Sequence, residues 1–227
     1  HPPATRPANL AVAVHPNFEY PAVRFRRRCE DRIAVVATEL MEAVFAAGEV
    51  AEYEPLATIR GGALADAGVR YRHPLIEGKT CPVVSAPYVT LEDGTGLVHT
   101  APGHGLEDYG TALRCELEIY CPVQADGTFD ETAPEWLIDR SVWEANPAVV
   151  EHLERAGTLF AHTIITHSYP HDWRSKTPTI FRATEQWFVG VDRAMGSGTN
   201  LREAAMEACR KSADEGGMDF VPGWGRN

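Results

Sequence analysis

The chain has 227 residues, with 32 Asp and Glu against 21 Lys and Arg, a formal charge of −11. That balance excludes a protein that grips nucleic acid over a broad surface, because phosphate binding draws on clustered Lys and Arg; any RNA contact must be local. The length accommodates one sizeable core, or a core with a small lobe, and no stretch approaches a membrane span.

In chain order, residues 1–9 hold three prolines and are expected to run extended. Residues 10–14 and 22–25 read as a strand pair across the turn at 16–20. In Val23-Arg24-Phe25-Arg26 apolar and basic residues alternate with period two. The run Arg24, Arg26, Arg27 and Arg28 therefore reads as the solvated face of a half-buried strand, which leaves room for a weak RNA contact. Ile33, Val36, Leu40, Val44 and Ala47 share one helical face that stops at Gly48, although the β-branched start also suits a strand.

From 54 to 97 the pattern becomes short apolar pieces at 57–59, 83–84 and 88–90 cut by Gly, Pro and His, the signature of a bent sheet or small barrel. A helix follows over 106–117 with Leu106, Tyr109, Leu113 and Leu117 on one face. Asp126-Gly127 marks a turn, and a helix over about 147–155 would take Pro147 as its first residue. Strands at 158–166 and 179–191 would flank a loop at 167–178. An amphipathic helix over 201–212 precedes irregular chain marked by Gly216-Gly217 and Pro222-Gly223. The expected fold class is α+β, a compact barrel-like β core with peripheral helices.

The densest chemistry lies in GTGLVHTAPGHGLEDY (residues 94–109). Gly94 and Gly96 bracket Thr95, and Gly103 and Gly105 bracket His104, so the backbone can turn sharply or approach a ligand at four points. A strand, loop and helix here would place His99 at the strand's end, His104 in the loop and Asp108 in the first helical turn, facing one concavity. A carboxylate in a first turn also serves simply to offset unpaired backbone N–H groups. The five cysteines, Cys29, Cys81, Cys115, Cys121 and Cys209, are odd in number and at no metal-like spacing. They suggest thiols in a reducing compartment, and with no signal-like N-terminal pattern the expected location is cytoplasmic.

This motif, with HSYPHDWRSKTPTIFRATEQWF (167–188) and PANLAVAVHPNFEY (7–20), resembles the editing insertion of isoleucyl-tRNA synthetases. The likeness spans nearly the whole chain. The closing FVPGWGRN resembles the return to that family's catalytic domain, whose HIGH and KMSKS signatures are absent from the sequence. The resemblance implies one editing domain over 1–227, excised from a parent enzyme, with 1–9 as opening strand or linker and 192–227 as helix and exit segment. It implies the barrel-like α+β fold, hydrolysis of mischarged valyl-tRNA(Ile), and no cofactor; ATP serves only the parent's catalytic domain. The implied partners are the 3′ end of the isoleucine-specific tRNA charged with valine, and the rest of the synthetase. The domain itself is expected to be monomeric and off the membrane.

The chemical need is plain: a pocket shaped for isoleucine rejects valine only weakly, and the isoleucine–valine pair is the standard case that calls for a second, hydrolytic sieve. By the resemblance, Asp108 would face the α-ammonium of the amino acid, and His99 would be the wall that limits side-chain size. Thr5, Thr95, Gly94 and Gly96 would bind or orient substrate and water. Gly103 and Gly105 would let the backbone come close, with His104 and Tyr109 beside them, read first as packing residues. Arg174 and Lys176 would touch RNA. Two departures stand out. The family's TTPWTLPAN is replaced by HPPATRPAN: His1 and Pro2 stand in the places of threonines, Ala4 in that of tryptophan, and Thr5 remains. Where relatives have HSYPHCWRCKTP with two zinc-binding cysteines, this chain has Asp172 and Ser175, so no metal is expected; His167 and His171 read as loop residues. The alternative to an active deacylase is a module that binds valine or the charged 3′ end and turns over slowly. A more remote one is an insertion needed only for the parent's folding.

Overall fold

The computed structural model describes residues 3–27, 29–164, 168–196, 198–211, 213–222 and 225. Expectations resting on His1, Pro2, Arg28, Thr166, His167, Ser212 and Gly223 lie outside these residues. The chain divides into two compact units, His1–Ala183 and Thr184–Asn227. No helix among the described residues is long and apolar enough to cross a membrane.

The strands of the first unit are Ala11–Val14 (β1), Glu19–Arg27 (β2), Glu30–Val35 (β3), Tyr53–Arg60 (β4), Arg70–Arg72 (β5), Thr80–Ser85 (β6) and Leu97–Thr100 (β7). Its helices are Met41–Ala47 (α1), Gly61–Asp66 (α2), Leu106–Arg114 (α3) and Val142–Arg155 (α4). One sheet has the order β5-β6-β1-β7 and the other β3-β2-β4. β1 runs parallel to β6, with Val12 opposite Val83, and antiparallel to β7, with Val12 opposite His99. Its small residues Ala11 and Ala13 are fully buried and let Val84, Ala86 and Val89 pack close. In β2 the period-two alternation is the observed one. Val23 and Phe25 are buried in a cluster with Val36 and Phe45, whereas Arg24 and Arg26 point outward to Glu54 (3.2 Å) and Asp31 (3.9 Å). Such exposed pairs add little stability.

The α+β class is the one expected, but the β core is two open sheets, not a closed barrel: β5 and β7 edge one, β3 and β4 the other. β1 and β2 do not pair with each other. The fully buried Tyr20 explains the break: its hydroxyl accepts the His15 N–H (2.9 Å) and donates to the Gly96 carbonyl (2.8 Å), sending β2 away from the first sheet. Ile33 and Val35 belong to β3, in keeping with their β-branching, and the helix begins only at Met41.

Residues 1–9 do not run extended throughout, since Pro3–Ala8 form a 3₁₀ helix whose Ala4 N–H is capped by Asn146 Oδ1 at 2.9 Å. Residues 88–90, the described part of 158–166, and 179–191 form no strand. Phe160 is held instead by edge-on packing against Phe25 and Phe45. α4 starts earlier than expected because Ser141 and Glu144 form a reciprocal capping box, leaving Pro147 inside the helix. In α3 the apolar face is turned outward: Leu106 is 87% and Leu113 60% exposed, while Asp108, Thr111 and Ala112 are buried.

The second unit contains Leu201–Arg210 (α5), opened by an Asn200–Glu203 capping box. Arg202 holds Asp192 through two hydrogen bonds, at 2.6 and 3.1 Å. The proposed exit segment from 192 falls within this unit, which begins at Thr184.

A buried histidine makes the fold sensitive to acid. His73, between β5 and β6, accepts the N–H groups of Leu75 and Ile76 on Nδ1, both at 3.1 Å. Burial, reinforced by the Lys79 charge, lowers its pKa to about 4. The unfolded chain therefore takes up this proton first, so stability that is complete above about pH 6.5 is lost as pH falls toward 4. Burial and the Arg6 charge hold His99 low and push the same way, whereas Asp108, raised by burial, opposes them. The urea midpoint should drop between pH 7.5 and 4.5, and His73→Asn, which keeps an acceptor, should flatten that drop.

Candidate functional site

The β1–β7 register carries the chain from His99 into the loop that ends at α3. His99 is buried, and its Nε2 lies 2.9 Å from Thr5 Oγ1. The loop is closed by Asp108. Its Oδ2 accepts the Ala101 N–H at 2.9 Å and its Oδ1 the Tyr88 hydroxyl at a looser 3.3 Å. The carboxyl is 5% exposed, and burial raises its pKa against the pull of those two donors.

His104 is pinned from the other side: its Nδ1 sits 2.9 Å from the Phe181 carbonyl oxygen, and the Ala183 N–H donates to the Gly103 carbonyl at 2.7 Å. Gly103 is glycine for want of space, because a Cβ there would lie 2.5 Å from the Tyr120 carbonyl oxygen. Burial disfavours the charged His104 ring, but Cys121 and the Phe181 carbonyl outweigh it and the pKa is raised.

Between these elements lies a cavity of about 200 Å³, lined by Thr5, His104, Asn146, Trp143, Tyr169 and Phe181 among others. Its walls are mainly aromatic and aliphatic, with a few polar groups, the usual composition of a small-ligand pocket. Of the residues singled out from sequence, Thr5 and His104 line it, while His99 stands behind Thr5. Asp108 shapes the loop without reaching the lining. Thr95, Gly94 and Gly96 lie elsewhere: the Thr95 carbonyl accepts the Ala37 N–H (2.9 Å), and a Cβ on Gly96 would meet Ala37 Cβ at 2.4 Å. Gly94 and Gly96 adopt φ of 78° and 71°, so both serve a tight turn. Gly105 is extended and caps α3; Tyr109 is 40% exposed.

Sequence reading missed Trp143, Asn146, Tyr169 and Phe181 as wall residues. Tyr169 and Phe181 fall inside the diagnostic 167–188 stretch, but Trp143 and Asn146 come from α4, whose pattern carries no ligand signal. In the 172–177 loop the Asp172 carboxylate accepts the N–H groups of Arg174 (3.1 Å) and Ser175 (2.6 Å). The residues at the two cysteine places thus close the loop themselves. They do not fit a four-ligand zinc site, and among the described residues no three His, Cys, Asp or Glu side chains converge on one. Arg174 lies over the Trp173 ring at 4.7 Å, and Trp173 is 70% exposed.

The two bonds of Asp108 give a direct check. Asp108→Ala leaves the buried Ala101 N–H without its acceptor and should cost about 1–3 kcal/mol in chemical denaturation. Asp108→Asn retains an oxygen for that N–H and should lose clearly less.

No family model matches the chain. It is 44% identical over 224 residues to isoleucine–tRNA ligase of Nitratidesulfovibrio vulgaris and 39% over 225 residues to that of Petrotoga mobilis. The ligase of Pseudomonas paraeruginosa is 42% identical over 227 residues. Each match covers 99% of this chain and 22% of the relative, so the chain spans about a fifth of the length of these relatives. In structure it is similar to the crystal structure of GlLeuRS-CP1, with a TM-score of 0.52 at 15% identity, over 72% of this chain and 82% of that one. The chain is thus similar in sequence, over nearly its whole length, to about a fifth of these isoleucine–tRNA ligases, and in fold to GlLeuRS-CP1.

Proposed function

We propose that this domain hydrolyses the ester joining valine to the 3′ end of the isoleucine-specific tRNA, as part of a longer cytoplasmic synthetase. The observation that carries the reading is the 2.9 Å contact between Thr5 Oγ1 and His99 Nε2 at the wall of an apolar cavity of about 200 Å³. It sets a hydroxyl that can orient water or the ribose against the residue assigned to limit side-chain size. His99 is buried behind Thr5 and held well below its ordinary pKa by burial and the Arg6 charge, so it backs the wall as a neutral ring rather than serving as an acid.

Asp108 keeps its Ala101 bond and turns Oδ1 from the looser Tyr88 contact to the ammonium of the amino acid. An approaching cation favours the ionised carboxylate. Orientation of the ester and water supplies the acceleration, and no cofactor takes part. Arg174 and Lys176 meet the RNA beside the exposed Trp173, whose face suits an unpaired base. A second reading, a module that binds the charged end but turns it over slowly, is favoured by one observation: in the opening 3₁₀ helix Thr5 is the one hydroxyl-bearing residue.

Single-turnover deacylation of valyl- and isoleucyl-tRNA(Ile) tests both readings. Valine should be released faster, His99→Ala should raise release of isoleucine, and Asp108→Asn should weaken valine recognition with the fold retained. Loss of one charge-assisted hydrogen bond amounts to about 1.5–3 kcal/mol of binding. Replacing residues 1–9 by TTPWTLPAN should speed hydrolysis more than it improves binding if the domain is a weakened module. Equal rates before and after would show that Thr5 suffices. Parallel loss of both substrates in His99→Ala would remove the steric role.

A further inference from the structure

Asn146 stands in the interior of α4, directly before Pro147. Neither residue suits that place: asparagine is a poor helix former, and proline withholds an N–H and crowds the preceding turn. What the position gains is reach. Asn146 Oδ1 accepts the Ala4 N–H at 2.9 Å across 142 positions of chain. Because a backbone N–H can only donate, the partner atom is the carboxamide oxygen.

The bond falls at the start of the 3₁₀ helix Pro3–Ala8. Pro3 has no N–H, so Ala4 carries the first donor of that helix, and no carbonyl within the helix can accept it. Six residues do not hold a helix unaided, so its placement comes from its neighbours. The Ala4 side chain packs in one cluster with Val142, Ala145 and Val149 of α4. Just past the other end, Asn9 is buried, with its Oδ1 accepting the Tyr71 hydroxyl at 2.9 Å and its N–H donating to the Arg6 carbonyl at 3.1 Å. Thr5 follows Ala4, and its hydroxyl is the one set against His99. Loosening the first turn would let that hydroxyl swing away from the ring.

We propose that Asn146 is a positioning residue for Thr5. By fixing the Ala4 N–H it sets where the neighbouring hydroxyl stands against His99, and so governs turnover more than affinity. The kinetic part rests on the deacylase reading above; the anchoring of the helix does not. Asn146 also lines the cavity, but its action here runs through Ala4 and Thr5.

The test uses the whole chain and two readouts, with urea midpoints to show that each variant is folded. Amide hydrogen exchange at Ala4 reports the anchor. The N–H should be protected in the unaltered chain, exchange about tenfold faster in Asn146→Ala, and stay protected in Asn146→Asp, which keeps an acceptor. Single-turnover deacylation of valyl-tRNA(Ile) reports the consequence. Its saturating rate should fall about tenfold in Asn146→Ala with the half-saturating concentration little changed, and recover in Asn146→Asp. In a Thr5→Val background the same Asn146→Ala change should cost less than about twofold. An unprotected Ala4 amide in the unaltered chain overturns the proposal without any variant. Full additivity with Thr5→Val overturns it too, as does an Asn146→Asp chain as slow as Asn146→Ala, which would give the role to the amide N–H₂ group. A chain whose Ala4 exchange responds as expected but which releases no valine sustains the anchor and overturns the deacylase reading instead.

Discussion

The antiparallel pairing of β1 with β7 is the constraint on which the rest of the site depends. With Val12 opposite His99, and the Leu10 N–H donating to the Thr100 carbonyl at 2.9 Å, the chain entering β1 and the chain leaving β7 must emerge at the same end of the sheet. Thr5 and His99 meet for that reason, although 94 positions separate them. A slip of one residue would turn His99 to the other face of the sheet. The small side chains of β1 are part of the same constraint, since larger ones would force β6 and its helix-side packing away from the strand.

The loop between β7 and α3 shows local geometry overriding hydrophobic patterning. Burying a leucine is worth about 1.5–3 kcal/mol, and α3 forgoes this at Leu106 and Leu113. The turn leaves too few residues for the helix to rotate them inward while Asp108 keeps the Ala101 N–H. A buried N–H without an acceptor carries a comparable penalty. The inner face of α3 is therefore the polar one.

Much of this organisation was legible in the sequence. The strand–loop–helix around His99, His104 and Asp108 followed from glycine placement and helical spacing, and the alternation at Val23–Arg26 disclosed which face of β2 is wet. Pairing partners were not legible, because Tyr20 parts β1 from β2 through bonds to His15 and Gly96, the latter distant in the chain. Nor did spacing reveal that Gly94 and Gly96 serve a turn against Ala37, away from the cavity. The cavity wall itself is assembled from α4 and the 169–181 segment, whose aromatic residues carry no local mark of their common destination.

Gly103 illustrates how easily such a loop is misread. Its neighbours, the Tyr120 carbonyl oxygen and Cys121 Cβ, sit where the first atom of any side chain would go. No rotamer choice relieves that overlap, because the obstruction is met before χ1 is defined. In a saturation library this position would accept glycine alone even if every library member were scored only for folding. Intolerance to replacement in a motif rich in catalytic-looking residues is here a record of excluded volume, and selection at Gly103 would read the same in a protein that had lost its chemistry.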